Sequence, residues 1–158
     1  MTLDPRTFPR PPALEQISKH ILIKFPGASG ATIASTRSAY WVLETYHPPT
    51  YYLPRSDIQI PLTQTPRQTF CEWKGVAAYF SFDTPQGQKI ENRCWTYSEP
   101  TKRFKDIKDY VSFYADDRWE CYVDGEKVEP QPGDFYGGWM TSDIVRKSVK
   151  GAPGTRGW

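Results

Sequence analysis

Histidine and cysteine are scarce in this chain, and long apolar runs are missing altogether. Two His and three Cys are spread over 158 residues. Cys71, Cys94 and Cys121 stand alone with no CxxC pair, whereas structural zinc needs four ligands, mostly in close pairs supplied by tight turns. His20 and His47 lie far from all three in sequence. The cysteines therefore read as small buried thiols, and no metal or cofactor is expected. An odd, sparse cysteine set also fits a reducing cytosol better than a disulfide framework, so the expected location is cytoplasmic. No run of 18 apolar residues exists, which argues against a membrane-spanning helix and a membrane partner. The opening MTLDPRTFPRPPALEQ lacks the apolar stretch of a secretory signal.

Charge of one sign is lacking too. Twenty Lys and Arg stand against 18 Asp and Glu, a balance that argues against a protein built to coat nucleic acid. Signature loops for catalysis are also missing. There is no GxSxG and no local cysteine-protease signature. PGASG and GAPGTRG lack the lysine and spacing of a P-loop, though the latter suits a small anion-binding nest.

What the chain does have is aromatic rings, proline and glycine. Six Trp, ten Tyr and eight Phe supply large buried areas to a core with few aliphatics. Fifteen Pro and eleven Gly interrupt the chain too often for long helices and favour short strands joined by turns. The organisation expected is an extended arm over residues 1–19, a β domain over 20–135 and a tail over 136–158 packed on it. HILIKF (His20–Phe25) reads as a first strand, with its hairpin partner at Ala31–Ser35 after PGASG. Ala39–Glu44 is another strand, and three prolines hold Tyr51–Pro54 extended. Cys71–Phe82 and Lys89–Tyr97 flank the turn DTPQGQ. In simple alternation Trp73, Gly75, Ala77 and Tyr79 share one face, and Lys74, Val76 and Phe80 the other. Asp124-Gly125 between extended runs is a strong hairpin signal. Helical spacing occurs at Phe104, Ile107, Tyr110 and Val111, so at most one or two short helices are expected.

Polar and aromatic residues converge in two places. Glu44, His47, Tyr51 and Tyr52 sit near the early strands; Trp73, Lys74, Asn92, Trp95 and Tyr97 open and close the central hairpin. Rings give flat apolar walls and the polar groups give a few oriented donors and acceptors, the mixture a small-molecule pocket requires. Packing is the competing reading, because Trp and Tyr with polar tips also finish the cores of small β domains.

ETYHPPTYYLPRSDI, CEWKGVAAYF, NRCWTYSEP, YVSFYADD, CYVDGEKVEPQPGDFYGGW and GAPGTRGW, in that order, resemble the domain of unknown function 427 family, which also carries a nucleotidyltransferase-like label. The resemblance runs from about Ser35 to Trp158. Residues on its motifs are Glu44, His47, Pro48, Tyr51, Tyr52 and Pro54, then Cys71, Trp73, Lys74, Gly75 and Tyr79, then Asn92, Trp95, Tyr97, Pro100, Phe113 and Tyr114. It implies a mainly β fold, a β-tent of two antiparallel sheets meeting at an angle. Similar tents in methionine sulfoxide reductase B and Yippee-type proteins often hold zinc through CxxC pairs, which this chain lacks.

The leading expectation is a β-tent protein binding an unknown small polar or planar molecule through Glu44, His47, Tyr51, Tyr52, Trp73, Lys74, Asn92, Trp95 and Tyr97. One alternative is a transferase or hydrolase acting on a nucleotide or related metabolite. His47 or Glu44 would then be the general base and Lys74 would steady an oxyanion. Another is a protein-interaction module using the basic, aromatic tail.

Overall fold

The computed structural model describes residues 2–27, 30–131 and 137–151. The strands in chain order are β1 (Ala13–Gln16), β2 (Ile21–Lys24), β3 (Thr32–Thr36), β4 (Tyr40–Leu43) and β5 (Thr50–Tyr52). There follow β6 (Thr63–Cys71), β7 (Gly75–Asp83), β8 (Lys89–Thr96) and β9 (Val111–Phe113). Last come β10 (Glu120–Val123), β11 (Glu126–Lys127), β12 (Glu129–Pro130) and β13 (Trp139–Met140). They form two four-stranded sheets, β11-β10-β2-β3 and β6-β7-β8-β9, a three-stranded sheet β1-β4-β5 and the ribbon β12-β13. The chain is mainly β, with antiparallel sheets and, among the described residues, no closed barrel. Among the described residues, no helix is long and apolar enough to cross a membrane.

Turn chemistry explains much of this. At Asp124-Gly125 both residues have positive φ, 48° and 84°, the geometry that matches the twist of a two-residue hairpin. Tyr122 accordingly pairs with Lys127 and Val123 with Glu126. The helical spacing after Phe104 yields only a 3-10 turn, Lys102–Ile107. It buries Phe104 and Ile107 completely. The chain then reverses through Asp109, whose φ is 63°, and Val111 enters a strand.

Two features depart from the sequence reading. Cys71–Phe82 is not one strand: Cys71 pairs with Gly75 across a turn at 72–74. This removes the alternation that separated Lys74 from Tyr79. The second feature is β6, a polar segment containing Pro66 with no strand signature. It sits at a sheet edge, where a proline is tolerated because its missing N–H faces outward or falls in a bulge. Its ladder to β7 breaks between Gln64 and Gln68.

The middle of the β6–β9 sheet is packed on both faces, while β6 is largely exposed and Phe70 and Val76 stand in solvent. Phe80, Phe82, Ile90, Cys94 and Phe113 pack with Ile21, Ile23, Trp119 and Cys121 from the β2–β10 side in the main core. Ala77, Tyr79 and Tyr97 turn the other way and meet Val42 and Tyr52 from β1-β4-β5, together with Phe104 and Ile107. Within the arm, β1 pairs with β4. Leu3 joins a third cluster with Met140, Ile144 and Val149. Trp139 packs in the main core and donates its indole N–H to the Phe113 carbonyl at 2.8 Å. Of the tail, residues 136 and 152–158 lie outside the described residues, as do Phe135 and most of the GAPGTRG nest.

Gly75 is the backbone hinge of the central hairpin. Its φ is +106°, and a Cβ there would come within 3.3 Å of the Glu99 carbonyl oxygen. Thr101 pins the same turn, its hydroxyl donating to the Trp73 carbonyl at 2.6 Å and its N–H to the Lys74 carbonyl at 3.1 Å. Gly75→Ala should therefore cost about 1–3 kcal/mol, read as a lower urea midpoint with an unchanged m value. An unchanged midpoint would mean that the turn relaxes freely.

Candidate functional site

On the face of the β6–β9 sheet opposite the main core lies a cleft of about 600 Å³. That volume is within the range of small-molecule sites. Tyr52, Tyr79, Trp95, Tyr97 and Tyr114 supply rings; Thr50, Thr69, Lys74, Arg67, Arg93, Glu91 and Asn92 supply polar groups. Trp95 is the centre of the aromatic set. Its ring stands edge-on to Tyr114 at 5.2 Å and to Tyr52 at 6.5 Å, and is tilted against Tyr79 at 6.3 Å. Such offset and edge contacts stabilise beyond their buried area and fix ring orientation.

Two bulges bring the arginines here. The β7–β8 register shifts so that Ser81 faces Glu91 while Phe80 faces Cys94, which leaves Asn92 and Arg93 as extra residues. Asn92 takes φ 61°, a left-handed conformation that asparagine tolerates better than most residues. The β6 bulge releases Thr65, Pro66 and Arg67 in the same way. Thr65 donates from its hydroxyl to the Asn92 side-chain oxygen at 2.5 Å, tying the two bulges together. Arg67 then lies 5.0 Å from the Tyr79 ring centroid and Arg93 5.2 Å from that of Tyr114. Among the described residues, the cleft thus holds three cations, Arg67, Lys74 and Arg93, against one carboxylate, Glu91.

Lys74 is the least ordinary member. Its side chain is 9% exposed, and the nearest carboxylate oxygen, on Glu44, is 3.9 Å from its ammonium. The ammonium also lies 5.9 Å from the ring centroids of both Tyr97 and Phe104. Burial pushes the pKa values of the Tyr52 and Tyr97 hydroxyls far upward, so both are neutral donors at any ordinary pH.

A second, smaller cavity of about 100 Å³ is lined by His47, Pro48, Tyr51, Gln131 and Trp139 among others. Thr50 and Trp95 line both cavities and separate them. Strand alternation at β5 sends Tyr51 to the small cavity, against Trp139 at 5.0 Å, and Tyr52 to the large one. Glu44 joins the two sides, with 3.9 Å to His47 Nε2 and 3.9 Å to Lys74 Nζ. Glu44, His47 and Lys74 are therefore neighbours, but His47 and Lys74 face different cavities, and Glu44 lines neither. A molecule in the large cleft meets Lys74 without meeting His47. Trp73 lines neither cavity and packs in the turn against the second core.

Five of the nine residues read from sequence as ligand-binding, Tyr52, Lys74, Asn92, Trp95 and Tyr97, line the large cleft. Sequence reasoning passed over Arg67, Thr69, Glu91, Arg93 and Thr50, and left Tyr79 and Tyr114 as family-motif residues only. The signal for the arginines was Pro66 and Asn92, each beside an arginine and each a bulge former.

Cys94 and Cys121 are buried in the main core, and burial pushes both thiol pKa values well up, which makes them unreactive. Among the described residues, no group of three or more His, Cys, Asp and Glu comes together as a metal site.

The chain is a mainly β protein whose central sheet carries a ring-walled cleft. It belongs to the family described as a domain of unknown function (DUF427), whose model matches residues 13–129. The nucleotidyltransferase-like label of that family is a name only. The match opens ahead of Ser35 and closes before the tail, and every residue of the large cleft falls within it. No curated protein matches the chain.

Burial lowers the His47 pKa from its ordinary 6.5; Glu44 opposes the shift, while Lys150, Lys74 and Arg10 add to it. The unfolded chain then binds the proton more readily than the folded one, so stability declines as pH falls below 6.5 and through the folded value. Urea midpoints measured from pH 7.5 down to 5 should fall, and His47→Gln should flatten that decline. A decline of equal size in the variant would assign it to other groups.

Proposed function

We propose that this protein binds a small planar molecule with polar substituents in the cleft walled by Tyr52, Tyr79, Trp95, Tyr97 and Tyr114. The observation that supports this reading most is the conjunction of ring faces and free donors around one cavity of about 600 Å³. Packing alone does not account for it. Cores of small β domains fill their interior with side chains at crystal-like density, and a buried ammonium is rarely left beside an open space of that size. The ring of Trp95, itself only half-buried, is the natural stacking platform. Rigid walls favour the reading further, since a pocket already formed costs less ordering on binding.

A thermal-shift screen of planar acids, amides and amines tests it. At least one class should raise the melting temperature in a concentration-dependent way, as binding to the folded state requires. Trp95→Ala should reduce the shift for those compounds by more than half. No stabilisation by any compound in the screen would remove the binding reading.

A further inference from the structure

We infer that the large cleft is built for an anion: a planar ring bearing a carboxylate or phosphate, with the acidic group on Lys74 and the arginines and the ring against Trp95. This rests on the binding reading and specifies its ligand class. The argument starts from Lys74. Its stem is buried and its head reaches the cleft. Among the described residues, no acceptor lies within hydrogen-bond distance of that head, and the Glu44 contact at 3.9 Å is too long to be one. An ammonium has three donors, and a lysine whose side chain is nine-tenths buried while its head opens on the cleft is placed to receive an anion there.

The arginines repeat the pattern at the mouth. Arg67 and Arg93 make no ion pair with any described carboxylate; each lies over a tyrosine ring instead. Stacking on a ring face leaves the edge of the guanidinium, with its fork of N–H groups, free to grip a carboxylate or phosphate in two-point fashion. Glu91, the one acid among the described residues of the cleft, is exposed and is screened by water. Three cations around one cavity also repel each other, a cost that a bound anion reverses. A neutral planar ligand would satisfy the rings and accept hydrogen bonds from these groups, but would leave their charge uncompensated.

Isothermal titration of the full chain with charge-matched probes tests the inference. Naphthalene-2-carboxylate should bind at least tenfold tighter than naphthalene-2-carboxamide, or adenosine 5′-monophosphate at least tenfold tighter than adenosine. The first pair reports a carboxylate site and the second a phosphate site; either supports the inference. Lys74→Met, which keeps the stem volume, should erase most of the charge preference, lowering affinity for the anion far more than for the neutral member of the pair. Arg67→Gln with Arg93→Gln should lower affinity for the anion and flatten its salt dependence, and serves if the Lys74 variant fails to melt cooperatively. Equal affinity for acid and amide, with binding still lost in Trp95→Ala, would overturn the anion inference and leave the binding reading standing. Failure of all four probes alongside a silent compound screen would overturn both.

Discussion

The centre of the β6–β9 sheet is packed on both faces, and much of the molecule follows from that constraint. A strand covered on both sides cannot alternate apolar with polar, and β7 does not: Ala77, Tyr79, Phe80, Ser81 and Phe82 are all buried. Its two faces nonetheless differ in kind. The side toward β2 and β10 is packed with Phe, Ile and Trp into a dry core. The side toward β5 is packed with tyrosines whose hydroxyls need partners, and there the filling stops short of closing the space. A cleft lies on that face because its rings are large, stiff and polar-tipped.

Bulges are what convert this face from packing into a site. Each one gives up ladder hydrogen bonds, which cost free energy when left unmade, and each re-aims a residue that a regular strand would send elsewhere. Here the two bulges lie on neighbours of the same central strand and are joined by the Thr65–Asn92 hydrogen bond. The result is a pair of arginines held over tyrosine rings by the backbone itself. Side-chain placement set by backbone geometry requires no rearrangement when a ligand arrives.

How much of this was legible in the sequence depends on the length scale of the signal. Asp124-Gly125, DTPQGQ and the apolar run His20–Phe25 are local signals, and the strands they imply are present, whereas Cys71–Phe82 is divided by a turn. The opposed directions of Tyr51 and Tyr52 follow from strand period alone. What could not be read was set by pairing. β6 is a strand only because β7 offers a partner, so a proline-bearing polar segment conceals it. Lys74 lines the same cleft as Tyr79 because Gly75 permits a turn that periodicity cannot anticipate. The spacing of Phe104 and Ile107 is a local signal too: it reports a buried face, and the short 3-10 segment Lys102–Ile107 supplies it.

Lys74 shows how far magnitudes can carry the reading of the cleft. At about 4 Å, opposite unit charges attract by ~1 kcal/mol in water and ~4 kcal/mol at an effective dielectric of 20. Glu44 thus offsets part of the cost of burying the ammonium, but because Glu44 is itself one-third exposed, solvent screens the attraction toward the lower figure. The ring contacts at 5.9 Å lie at the outer limit of useful cation–π distance and add at most about 0.5–1 kcal/mol each. Together these terms suffice to keep a charged lysine in place without saturating its donors. A lysine whose only task was stability would be expected either to close on Glu44 within hydrogen-bond distance or to extend its head fully into solvent. This one does neither, because Thr101 and Gly75 fix its backbone and the cleft begins where its stem ends.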